Sequence, residues 1–107
     1  MMRGKGQPGT IDPQNYPALR EFLPAYLHED FGGEYGSAAK AMTALVSDAS
    51  ADQIRILREE WRRLRRGLAG QPLHAVQQAL VEIGAAWHPR SERELQEVDE
   101  ILSRAEA

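Results

Sequence analysis

Apolar residues recur along this chain with the three-and-four spacing of amphipathic helices, and no stretch alternates with the period of two that marks a strand. Leu19, Phe22, Leu23, Tyr26 and Leu27 form one such face, with Pro17 suited to a first helical turn where its missing N–H costs nothing. Pro24 falls inside this pattern and predicts a kink after Phe22. Gly32-Gly33 then predicts a helix end and Gly36 a connection, with Ser37 as the next N-cap. Ala38, Ala41, Met42, Leu45 and Val46 continue the spacing. Ser50 with Gln53 has the form of a capping box and opens the longest predicted helix, whose seam is Ile54, Leu57, Trp61, Leu64 and Leu68. Pro72 opens a further helix with Leu73, Val76, Leu80 and Ile83 inward, ending near Gly84. Trp87 is expected to be buried in the connection that follows. Ser91 with Glu94 suggests a second capping box, before a last face of Leu95, Val98, Ile101 and Leu102. The fold class is therefore all-α, a single-domain bundle of about five helices over residues 16–107. Residues 1–15, rich in Gly and Pro and almost without apolar side chains, are expected to form a flexible tail.

Composition narrows what such a bundle can be. At 107 residues, 42% of them apolar, the chain suits one modest core, and with no cysteine it has no disulfide or thiolate chemistry. A reducing, cytoplasmic setting follows, since no apolar run approaches a membrane span and the first residues lack the apolar segment of a signal peptide. The net charge of −3 is unevenly spread. Residues 16–48 and 82–107 are acidic, while 50–70 carry Arg55, Arg58, Arg62, Arg63, Arg65 and Arg66 against Asp52, Glu59 and Glu60. Acidic ends favour a basic partner over nucleic acid.

Catalytic and metal signatures do not assemble. His28-Glu29 would begin a His-Glu-x-x-His zinc motif, but Gly32 stands where the second histidine belongs. His28, Glu29, Asp30 and Glu34 supply oxygen and nitrogen donors, yet consecutive helical residues point about 100° apart and rarely converge. Gly32, Gly33 and Gly36 match neither a phosphate-binding loop nor a dinucleotide fingerprint, and positive backbone φ is their simpler reading. No catalytic residue, metal or cofactor is expected. The arginines at 55, 58, 62 and 65 share one helical face, the layout of a phosphate-tracking stripe, which makes a small nucleic-acid-binding or regulatory domain the alternative function. Glu59, within helical reach of Arg55, Arg62 and Arg63, argues instead for a solvated, self-paired surface.

The densest stretch is Tyr26 to Gly36. Tyr26, Phe31 and Tyr35 are expected to anchor the corner between the first two helices, with Gly36 in the turn. Glu29, Asp30 and Glu34, with His28 or Tyr35, would then be left to present a negative surface to a cationic protein. Inhibitors of nucleases work in this way, occupying a groove built for phosphates.

The residues Tyr16-Pro17-Ala18-Leu19, Phe22, Tyr26-Leu27-His28-Glu29-Asp30-Phe31 and Glu34-Tyr35-Gly36-Ser37, with Ala41, resemble a family of small helical immunity proteins from bacterial contact-dependent growth inhibition systems. The match spans about residues 16–46, and the later helices agree only in pattern. The resemblance implies a cytoplasmic, non-catalytic inhibitor. It would bind and neutralise the toxin domain, often a nuclease, that neighbouring cells deliver. A monomer acting on a cognate toxin, with His28, Glu29, Asp30, Glu34 and Tyr35 as contact candidates, is the resulting expectation.

Overall fold

A computed structural model describes residues 11–105. Residues 1–10, read from sequence as part of a flexible tail, lie outside the described residues. Residues 11–15 belong to the same predicted tail, yet Pro13–Asn15 form a 3-10 turn capped by the Asp12 carboxylate. Ile11 packs against the core.

Six α-helices follow, five of them longer than two turns, and no strand occurs among the described residues. They are α1 (Pro17–Tyr26), α2 (Phe31–Tyr35), α3 (Ala38–Asp48), α4 (Ala51–Gly67), α5 (Leu73–Ile83) and α6 (Glu92–Arg104). The class is all-α. The seams predicted by spacing close on one core: Leu19, Leu23 and Leu27 from the first helix meet Met42 and Leu45 of α3, Leu57, Trp61 and Leu64 of α4, and Leu95 and Leu102 of α6. Helix α1 lies on α4, α3 and α5, while α6 lies on α3 and α4, so every long helix has its apolar face covered. Trp87 is buried as expected.

Local signals are met at α3 and α4 and fail at α6. The Ser37 hydroxyl accepts from the Lys40 N–H. Ser50 and Gln53 form a reciprocal capping box, closing two orphan N–H groups at the start of α4. Ser91 and Glu94 do not. Glu94 is occupied elsewhere, accepting from the Trp87 indole N–H at 3.3 Å and from the Arg90 N–H at 3.4 Å, so the buried indole takes the carboxylate that the cap would have used.

Two residues decide how α1 is held. Tyr16 precedes the helix and provides no side-chain cap. The Glu60 carboxylate of α4, only 5% exposed, does so instead, accepting from the N–H groups of Ala18 and Leu19 at 3.2 and 3.0 Å. An acid against the first turn of a helix satisfies orphan donors and meets the positive end of the macrodipole. At the other end, Pro24 sits in the last turn, and the helix passes it by two residues before stopping at Tyr26. Its ring lies against Gly84, where a Cβ would come within 3.1 Å of Cγ, and Gly84 has φ +112°. The Ala86 N–H donates to the Leu27 carbonyl at 2.7 Å, so the end of the helix is closed from the α5–α6 connection.

Glu60→Ala is expected to cost about 2–3 kcal/mol by leaving two N–H groups at a helix start without acceptors. Glu60→Gln, which keeps one acceptor oxygen, should fall between it and the parent. Urea denaturation measures both, and an unchanged midpoint in Glu60→Ala would remove the tie as a stabilising element.

Candidate functional site

The corner between α1 and α3 is shorter and more tightly wound than the sequence suggests. Helix α1 ends at Tyr26, and His28, Glu29 and Asp30 form a turn closed by the Phe31 N–H on the His28 carbonyl. Gly32 and Gly33 do not end a helix. They lie inside α2, and Gly36 alone of the three has positive φ, at 97°. Phe31 and Tyr35 stand one turn apart on α2 and both pack against the core, which draws this glycine-containing segment into helix.

The aromatic residues expected to anchor the corner are only half-buried. Leu27 is the side chain that plugs the core here, fully inaccessible, while Tyr26, Phe31 and Tyr35 pack against the core from its edge. Tyr26 and Tyr35 stack with centroids 6.2 Å apart, and the His28 ring lies 6.4 Å from Tyr35. The Tyr26 hydroxyl donates to Asp48 at 2.6 Å, linking the end of α1 to the end of α3. That hydrogen bond, helped by partial desolvation and the nearby carboxylate charge, pushes the Tyr26 phenol up to about 12. Desolvation, then Glu34, raises Tyr35 as well. Asp48 had no signal in the sequence, being 22 positions from Tyr26 and outside the motif.

Both ring nitrogens of His28 have partners. Its Nδ1 accepts the Asp30 N–H at 3.0 Å, which leaves the proton on Nε2 to donate to Glu34 at 2.9 Å. Of the candidate contact residues, the structure thus joins His28, Glu34 and Tyr35 in one cluster. Glu29 and Asp30 are exposed beside it, and neither carboxylate has a hydrogen bond or ion pair among the described residues. These two line a shallow depression with His28, Pro24, Gly84 and Ala86, so the acids sit over the α1–α5 contact that sets the corner's position. No group of three potential ligands is placed to hold a metal ion among the described residues.

The arginine face of α4 is built differently from the solvated stripe that spacing suggests. Arg65 reaches across to α6 and pairs with both Asp99 oxygens, at 3.0 and 3.1 Å, and with Glu92. Burial opposes its charge, but the hydrogen bonds to Asp99 and Glu92 outweigh that, so its pKa is raised. Asp99 also accepts from the Trp61 indole at 2.6 Å. Arg63 lies over the Tyr16 ring, 5.1 Å from its centroid, and donates to the Asn15 carbonyl. Arg58 donates to the Ala105 carbonyl. Arg55 pairs with Asp52, not with Glu59. Four of the six arginines are therefore engaged within the protein.

No protein-family model matches the chain, and neither a curated protein nor a solved structure matches it. No described helix is long and apolar enough to cross a membrane.

The Tyr26–Asp48 contact gives a pH signature. A phenol with a folded pKa of about 12 against an ordinary value of 10.0 contributes stability that is complete below pH 10 and is lost as pH rises toward 12. Tyr26→Phe should cost about 1 kcal/mol near neutrality and shed this part of the alkaline slope. Denaturation midpoints of the two proteins at pH 9 and pH 11 test it: a gap that fails to narrow at the higher pH refutes the assignment.

Proposed function

We propose that this chain is an immunity protein of the contact-dependent growth inhibition kind, acting in the cytoplasm by binding a cognate toxin domain through the corner at residues 26–36. One observation carries the reading. Glu29 and Asp30 on the turn and Glu34 on α2 are exposed beside half-buried aromatic rings, and the Leu27 carbonyl ahead of the turn is held by the Ala86 N–H.

Such a surface suits a cationic partner. The carboxylates steer association, and a surface ordered before binding loses little conformational freedom on docking. The flanking rings of Tyr26 and Tyr35 offer flat, amphipathic contact area of the kind that anchors protein interfaces. Blocking a groove shaped for phosphate would neutralise a nuclease without any chemistry by the inhibitor. The engagement of Arg55, Arg58, Arg63 and Arg65 in internal contacts weighs against the alternative in which the α4 face binds nucleic acid.

Co-expression with the toxin domain encoded beside this chain should restore growth, and equal killing with and without it defeats the proposal. Glu29→Lys and Glu34→Lys should each slow association by about tenfold at low salt, with a smaller effect at high salt and an unchanged helical circular dichroism spectrum. Unaltered kinetics in both variants would move the interface to another face, with Glu94, Glu97 and Glu100 of α6 next to be tested.

A further inference from the structure

A second cleft lies on residues distinct from those of the corner, between the C-terminal half of α4 and α6, with a volume of about 590 Å³. Pockets of this size hold small organic molecules. Its floor is apolar, with Trp61, Leu68 and Leu102 each 4% exposed or less. Its walls are held by the link already described: Arg65 on α4 grips Asp99 and Glu92 on α6, and the Trp61 indole is tied to the same Asp99. The cleft is thereby formed before anything enters it. Gly70 borders the mouth with φ +84°, and a Cβ placed there would meet nothing within 4 Å.

The charge lining the cleft is not balanced. Three arginines, at 62, 65 and 66, face two acids, Glu92 and Asp99, a surplus of one positive charge. Both acids are taken by Arg65. Arg65 with its two acids is thus left at −1, while Arg62 and Arg66, which have no hydrogen bond or ion pair among the described residues, carry +2 between them. Four residues apart on one helix, they are neighbours on its surface, and both line the cleft. The carbonyl end of α4 is the negative pole of its dipole, so the ground favourable to an anion is the helix flank beside the two guanidinium groups and not the helix end.

We propose that this cleft binds a small organic monocarboxylate, its carboxylate between Arg62 and Arg66 and its apolar body on the Trp61–Leu68 floor. Guanidinium groups suit the head group because their forked donors match carboxylate oxygens. One surplus charge answers one negative charge. The site is independent of the corner and of the partner assigned to it.

The test is a titration of the isotope-labelled protein with 4-phenylbutyrate, followed by ¹⁵N–¹H NMR at the Trp61 indole and the Ala69 and Gly70 amides. The expected result is saturable shifts at these groups with a Kd on the order of 1 mM, the range open to a ligand of about a dozen heavy atoms. Acetate, which lacks the apolar body, and 4-phenyl-1-butanol, which lacks the charge, should each bind at least about tenfold more weakly. The double variant Arg62→Gln with Arg66→Gln, at two exposed positions, should lose about tenfold in affinity while its unfolding midpoint is kept. Ser103→Trp, which fills the cleft from α6 and leaves both arginines in place, should abolish the shifts. Absence of saturation, an acetate response equal to that of 4-phenylbutyrate, undiminished binding by the double variant, or shifts centred on residues 26–36 would each overturn the assignment.

Discussion

The buried carboxylate of Glu60 is the contact on which this arrangement of helices depends. It is the only charged side chain among the described buried residues, and it is spent on the first turn of α1. Helix α1 starts without a side-chain cap of its own, so its orphan N–H groups are met from a residue 42 positions later in the chain. Its far end is closed in the same manner by Ala86. Both termini of the first helix thus take their partners from other elements, and its orientation is a property of the assembled bundle. The corner that follows inherits that orientation.

The helix faces were legible because burial on a helix leaves a period that any reader of the chain can find. Leu19, Leu23 and Leu27, or Leu57, Trp61 and Leu64, announce the core by spacing alone. Glu60 announces nothing. In a run of arginines and glutamates a buried acid and a solvated one have the same letter, and only the approach of α1 distinguishes them. The same holds for Asp48, whose tie to Tyr26 requires α1 and α3 to be side by side. Capping boxes are local and yet were found once in two instances. Ser50 and Gln53 compete with no one, whereas Glu94 is drawn away by an indole that burial leaves in need of an acceptor. At Gly32 and Gly33, weak intrinsic helix preference yields to Phe31 and Tyr35, which gain contact with the core only if the intervening residues coil. The exposed acids of the corner were legible as residues. Their relation to Pro24, Gly84 and Asp48 was not, because it is made by helices distant in sequence.

The acids at 29 and 30 and most of the arginines of α4 are used differently. Arginines of α4 are turned to structural use, with Arg65 and Arg63 fastening α4 to α6 and to the segment ahead of α1. Glu29 and Asp30 make no such internal contact among the described residues. The formal net charge of −3 is thus unevenly displayed, with Glu29 and Asp30 left accessible at the corner.

Pro24 and Gly84 meet closely, a Cβ at 84 coming within 3.1 Å of the proline ring, while the acids beside them touch nothing that holds the bundle together. Heritable variation therefore meets two very different responses within a few ångströms. A side chain at position 84 would be strained at φ +112° and would press on Pro24. Exchanges at 29 and 30 would change what the corner offers and leave its placement as it was. On the function proposed above, a changing partner could be followed through the outermost side chains with the underlying architecture kept intact.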